Sequence, residues 1–264
     1  MKLHFLIICF LCFFSLLFAR NRLYIGTDYT YQDFHENFFE TIKGKRGTFF
    51  KSYEFGYDYE QNNAFYLGGD IRQNKQKPKE KTQNEKYFSD STFKNYEGRI
   101  GYTVPLARYA NITPFIGGGS HTWTRKKIPL QFDKIKYDWQ YFAYGMRLNL
   151  FLGNGVSLSA YLKVMQMVKG KATLYLDGMP LEAELYKGSK DYHFNLKKKF
   201  QYLFEFPLRF FIPTLRPFDL SFVPFISQYK LDDKSKSRIF NNEILNPENK
   251  TYDKGIRVEI GLTF

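Results

Sequence analysis

The chain has 264 residues, a formal net charge of +13 and a mean hydropathy of −0.44, yet it carries 29 Phe and 21 Tyr. That length allows one large all-β domain or two small ones, and a water-soluble globule would have to hide most of these rings in one core, for which no segment beyond the N-terminus supplies a long apolar run. Both cysteines, Cys9 and Cys12, fall within the first 19 residues, so a chain cleaved there has no disulfide, no thiol catalysis and no cysteine-based metal site.

Lys2 precedes the one long apolar run, Phe5 to Ala19. The run is short of the roughly 20 residues a spanning helix needs and reads as a secretory signal peptide over residues 1–19, with Ala19 before the cleavage point and Leu17 where a small residue is preferred. An uncleaved anchor is the alternative. Ile8 and Leu11, in front of the two cysteines, do not suit lipid attachment.

Ten segments with a period of two follow, over residues 22–31, 49–59, 64–73, 93–104, 112–125, 136–151, 155–168, 198–212, 216–230 and 253–264. Most are longer than the usual soluble strand of about 5–6 residues and match the ~9–11 residues that carry a tilted strand across a bilayer. Tyr53, Phe55, Tyr57 and Tyr59 alternate with Ser52, Glu54, Gly56 and Asp58. Phe200, Tyr202, Phe204, Phe206, Leu208 and Phe210 alternate with residues that include Gln201, Glu205 and Arg209. The segment at 112–125 is less regular, because Gly117–Gly118–Gly119 interrupts it. The connections alternate short and long, at 17, 4, 19, 7, 10, 3, 29, 3 and 22 residues. This is the pattern of a meander with tidy turns at one end and five long loops at the other. Asp177–Gly178 marks a hairpin within the 29-residue connection. Reading its flanks as two further strands would give twelve; Glu182, Glu184 and Lys187 in those flanks favour ten.

The last segment poses the question of environment most sharply. Ile256, Val258, Ile260, Leu262 and Phe264 share one face, opposite Gly255, Arg257, Glu259, Gly261 and Thr263. Two environments are required, and lipid outside a closed barrel with a polar interior supplies both. A soluble sandwich or lipocalin-like barrel also alternates, but its solvent face would be mostly charged, whereas Gly, Ser, Thr and Asn are frequent here. Aromatics near the strand ends, among them Tyr29, Tyr31, Tyr57, Tyr59, Tyr102, Tyr137, Trp139, Tyr202 and Tyr229, suit the membrane interface.

On the leader and the terminal strand the chain resembles the small outer-membrane β-barrel proteins of Gram-negative bacteria. That family ends on an aromatic read by the barrel assembly machinery. "RVEIGLTF" is similar to the signal, with Leu262 and Phe264 as its apolar pair and Arg257 as its polar start; it departs at Glu259, where a glycine is preferred. Tyr-rich strands and lysine-rich connections are similar to small members of the Helicobacter outer-membrane protein family. The resemblance implies an all-β fold, a transmembrane antiparallel up-and-down barrel of ten strands spanning residues 20–264. It also implies periplasmic termini, surface loops and a location in a bacterial outer membrane among lipopolysaccharide.

Charge then sorts into two sets. The excess of base lies near strand ends at the loop rim, at Lys51, Lys94, Arg125, Lys126, Lys127, Lys197, Lys198, Lys199 and Lys230, rather than in a nucleic-acid-binding patch. Arg125, Lys126, Lys127, Lys197, Lys198 and Lys199 are the candidate contacts to lipopolysaccharide phosphate, lysines as point charges and Arg125 as a fork; solubilising rim residues are the alternative. Strand parity places Asp28, Glu54, Asp58, Asp70, Glu97, Glu205 and Glu259 in the lumen, with Arg72, Arg99, Arg147, Lys163, Arg209 and Arg257. Mixed charges in a tube little wider than an eight-stranded one either pair and fill it or line a narrow channel.

Asp191 and His193 in "KDYH" resemble half of the omptin protease site, where such a pair faces two acids on an opposite loop. Glu80, Glu85 and Asp90 lack the spacing for that second pair. Ser120 beside His121 is the one conceivable hydrolase pairing at the lipid boundary, and a girdle histidine is the simpler reading. No catalytic residue, metal or cofactor is assigned. The functional expectation is a non-enzymatic surface protein whose loops and basic rim meet glycolipid or an external partner. A narrow pore is its rival, and an omptin-like protease comes third.

Overall fold

The computed structural model describes residues 20–39, 42–76, 79–81, 86–88, 90–126, 134–175, 192–196, 199–211, 214, 217–231, 237–239, 243–245 and 248–264. The expected signal peptide, Asp177–Gly178, Asp191, Lys127, Lys197 and Lys198 lie outside them. Ten antiparallel strands close into a barrel. They are β1 (Arg20–Phe39), β2 (Ile42–Glu60), β3 (Ala64–Gln76), β4 (Asp90–Ala107), β5 (Ala110–Lys126), β6 (Lys134–Gly153) and β7 (Val156–Tyr175). β8 runs in three pieces, Tyr192–Asn195, Phe200–Glu205 and Leu208–Phe211, all paired to β7; β9 (Phe218–Leu231) and β10 (Glu248–Thr263) follow. β10 pairs with β1 from Arg22↔Thr263 to Asn37↔Glu248, and this ladder closes the ring. At its end Asn21 and Phe264 exchange backbone hydrogen bonds, both 2.9 Å long.

Residues of one parity point outward and stay exposed, although they are apolar: Ile25, Phe55, Leu67, Ile100, Ile116, Phe142, Phe204, Ile226 and Ile260 among them. An apolar girdle of this extent is stable only against hydrocarbon. Stacked and edge-on rings flank it, such as Tyr29–Phe49 at 5.4 Å between centroids toward the loop end and Phe65–Tyr102 at 6.2 Å toward the turn end.

Several strands run further than the alternation predicts. β1 and β2 stay in register through Asn37↔Lys43, so the long connection expected over residues 32–48 is mostly two-stranded ladder. Backbone pairing propagates there without a two-faced environment to impress a period on the sequence. Two short hairpins stand off the barrel, Lys79–Lys81 with Lys86–Phe88 and Ser237–Ile239 with Glu243–Leu245.

β8 is broken for reasons visible in its sequence. Pro207 has no N–H to donate; its carbonyl still accepts from Ser159 N at 2.8 Å, and Phe206 N bonds the carbonyl of Pro224 on β9 at 2.9 Å. Higher up, Leu196 N reaches Gly170 O at 3.0 Å where β7 shifts register. The β6–β7 turn is Gly153–Asn154–Gly155, all three with positive φ (85°, 51° and 77°), the left-handed conformation that two-residue hairpin turns demand. A side chain on Gly155 would also meet the Phe211 carbonyl, 2.6 Å from the Cβ position. Gly155→Val is therefore expected to lower stability by about 1–2 kcal/mol, measured by urea unfolding of the refolded barrel.

Candidate functional site: a filled lumen and a basic outer belt

The inward residues form two stacked zones. In the half toward the turns, charged side chains pair both along the wall and across the lumen. Arg257 on β10 lies 2.8 Å from Glu54 on β2, 3.2 Å from Glu205 on β8, 2.8 Å from Glu259 and 4.0 Å from Asp28. Arg22 on β1 clamps Asp219 on β9 through Nε and Nη2 at 3.1 and 2.8 Å, and reaches Glu259 at 2.8 Å. Arg99 on β4 contacts Asp70 at 3.0 Å and Glu97 at 3.4 Å, and donates to Tyr161 Oη on β7 at 3.1 Å. Lys163 on β7 crosses to Glu97 at 2.7 Å, where Tyr141 Oη also donates at 2.7 Å. Arg147 on β6 reaches Asp58 on β2 at 3.3 Å, and Arg72 pairs with Asp28. Most of these buried charges are matched by an opposite charge within the lumen, the condition under which burying them is tolerated.

Above this layer the lumen becomes aromatic. Within the charged layer, Tyr161 already stacks on Phe115 at 5.2 Å. Toward the loop end Trp123, Trp139, Tyr137, Ile135, Met167, Leu174, Phe194, Leu196, Tyr229 and Leu231 form one buried cluster. His121 stacks on Trp139 at 4.0 Å, meets Phe93 edge-on at 3.9 Å and approaches Tyr229 from across the lumen at 6.4 Å. Trp123 donates to Ser91 at 2.7 Å.

The thirteen expected lumen charges, Asp28, Glu54, Asp58, Asp70, Glu97, Glu205 and Glu259 with Arg72, Arg99, Arg147, Lys163, Arg209 and Arg257, all turn inward, in or beside this network. Arg22 and Asp219 belong to it and were not singled out. Both share the inward parity of their strands but sit at the segment ends, where alternation alone does not mark them. The aromatic zone was missed more completely, since Tyr137, Trp139 and Tyr229 are expected in the interfacial girdle and instead fill the interior.

Arg125 needs correction. Its side chain is 0% exposed and turns into the lumen, 5.4 Å from the Trp123 ring, so it does not face the outer leaflet. Odd residues of β5 point inward, and Arg125 follows Trp123. His121 is likewise inside and not at the lipid boundary with Ser120. Lys126 is exposed on the outer face, whereas Lys199 is half-buried, opposite the buried Met167 and on the inward parity of Gln201, Leu203 and Glu205, so it too is not placed toward the outer leaflet. His193 lies 3.2 Å from Thr173 Oγ1. Among the described residues no group of three or more His, Cys, Asp or Glu is placed to hold a metal ion.

Outside, above the apolar girdle, the outward parity changes to lysine on strand after strand: Lys51, Lys75, Lys94, Lys126, Lys134, Lys136, Lys169, Lys171, Lys230, Lys250 and Lys254. Asp33, Asp90 and Asp138 are the acids at that height with the same parity among the described residues.

Apolar girdle, filled interior and ten-stranded closure together define a barrel of the outer-membrane kind. Among solved structures, the chain is similar to the outer membrane protease OmpT from Escherichia coli, at 9% identity with a TM-score of 0.61, over 93% of this chain and 97% of that one. It is also similar to the translocator domain of autotransporter NalP from Neisseria meningitidis, at 9% identity and a TM-score of 0.48, over 92% and 88%. A third is Ail, the attachment invasion locus protein of Yersinia pestis, at 13% identity and a TM-score of 0.33, over 93% and 99%. At these identities the OmpT likeness defines the fold and nothing finer. No family model and no curated protein matches the chain.

Removing one cation from the network leaves its carboxylates buried and uncompensated. Arg257→Gln is expected to destabilise the barrel by about 3–5 kcal/mol, read as a lower urea midpoint with an unchanged slope.

Proposed function

We propose that this chain is a non-conducting outer-membrane barrel whose outward lysine belt engages the phosphates of lipopolysaccharide in the outer leaflet, holding the longer hairpins at the cell surface for an external partner. The lysine belt carries this reading. It sits immediately above the apolar girdle, at the height where a glycolipid headgroup meets the wall, and lysines there act as point charges toward phosphate. Lys126 belongs to the belt; Lys127 follows it in sequence, and Lys127, Lys197 and Lys198 are proposed to join it. The short turns and both termini then face the periplasm, and Leu262 and Phe264, on the outward face at the turn end, are presented to the assembly machinery. The Tyr-rich strands and lysine-rich connections that resemble small Helicobacter outer-membrane proteins agree with this arrangement.

The filled lumen argues for a scaffold rather than a pore. Trp123 and Trp139 are 1% and 2% exposed inside the tube, and cations and carboxylates interlock below them. No hydrolytic constellation is assigned.

Two measurements test the reading. The refolded protein is expected to be silent in planar bilayers, and Trp123→Ala with Trp139→Ala to produce openings; steady conductance of the unaltered protein would make it a channel. In vesicles, lipopolysaccharide is expected to raise the unfolding temperature. A Lys51, Lys94, Lys126 and Lys171 to Gln variant is expected to lose most of that increment, and an unchanged increment would remove the belt's assigned role.

A further inference from the structure

At the turn end the lumen is not full. A cavity of 310 Å³ lies between the charged network and the mouth formed near Gln61, Asn62 and Phe211. Its charged lining is three arginines, Arg22, Arg147 and Arg209, against two acids, Asp58 and Glu60. The surplus is one positive charge.

Every one of these groups but one is committed to a close partner. Arg22 is spent on Asp219 and Glu259. Arg147 donates to Asp58 at 3.3 Å and to Tyr66 Oη at 3.2 Å. Glu60 accepts from the Asn111 and Asn149 amides at 3.0 and 2.9 Å. Arg209 differs. Its nearest carboxylate is Asp219 at 3.9 Å, and that carboxylate is already clamped by Arg22 and bonded by Thr263 at 2.7 Å. Among the described residues Arg209 donates no hydrogen bond, and its Nε is both buried and without an acceptor. Directly across the ladder stands Ser157, whose hydroxyl faces the same cavity. A guanidinium fork without its acceptor is costly to retain in a wall, and its geometry is that of a bidentate partner to a planar or tetrahedral oxyanion.

We propose that this cavity binds a small oxyanion, a carboxylate or phosphate entering from the turn end, on the Arg209 guanidinium and the Ser157 hydroxyl. The aromatic zone closes the tube above, so the site is a blind pocket and its ligand enters and leaves by the same mouth. This site is independent of the lysine belt, which faces the opposite side of the wall.

The test uses the refolded full barrel in a zwitterionic detergent at 150 mM sodium chloride, with inorganic phosphate and, separately, acetate as probes. Titration calorimetry is expected to show saturable binding of at least one probe, and which one binds separates phosphate from carboxylate. Arg209→Gln is expected to weaken it at least tenfold. Ser157→Ala, which leaves every charge in place, is expected to weaken it several-fold, and serves if Arg209→Gln fails to give a heat-modifiable folded band. Lys51→Gln with Lys94→Gln is expected to leave binding unchanged. Without any anion, Arg209→Met is expected to raise the unfolding temperature, as removal of an unanswered charge should. Absence of saturable binding by both probes would overturn the proposal, as would binding that survives Arg209→Gln or disappears with the lysine variant.

Discussion

In hydrocarbon no backbone N–H or C=O finds water, so each must be bonded within the chain. A sheet meets that condition only by closing, and here closure is achieved by pairing β10 with β1 along sixteen registered positions. The other features descend from it. Once the sheet is a ring, alternate side chains are divided between lipid and lumen with no choice left to individual residues, which is why Phe and Tyr accumulate on one parity and Gly, Ser, Asp and Arg on the other.

Closure also fixes the width of the interior, and a ten-stranded ring leaves more room than backbone alone can fill. The chain fills it with two materials. Cation–carboxylate pairs occupy the half toward the turns, bonding strands that are not neighbours: β2 with β6 and β10, β4 with β7, β8 with β10. Aromatic rings occupy the half toward the loops. Ladder hydrogen bonds define who sits beside whom, but they do not prevent the ring from flattening or shearing. Links between opposite walls do, so the interior sets the cross-section while the sheet sets the circumference. Arg209 stands where this scheme is incomplete.

The barrel was legible in the sequence because lipid and lumen impose opposite demands at every second residue, as at Ile256 to Phe264 and Tyr53 to Tyr59. Strand number followed from the alternation of short and long connections. What escaped is what those demands do not reach. Above the girdle both sides of the wall admit polar groups, so the continuation of β1 and β2 to Asn37↔Lys43 left no period to read. Inside, an aromatic residue on the inward parity imitates a girdle residue: Tyr137, Trp139 and Tyr229 differ from Tyr29 only in parity counted along a strand whose ends are uncertain from sequence. Arg125 failed for the same reason, its neighbours Lys126 and Lys127 suggesting a shared face that a strand cannot provide.

The reciprocal bonds between Asn21 and Phe264 join the two ends of the described chain. Loop-closure entropy is greatest for such a contact, and until it forms both β1 and β10 are open edges with unpaired donors and acceptors. Their lateral pairing is what removes both edges at once. A chain with every hairpin made but this seam unzipped keeps two open edges, each able to add a strand from a neighbour, and the finished molecule is a tube closed by one chain because its own ends meet.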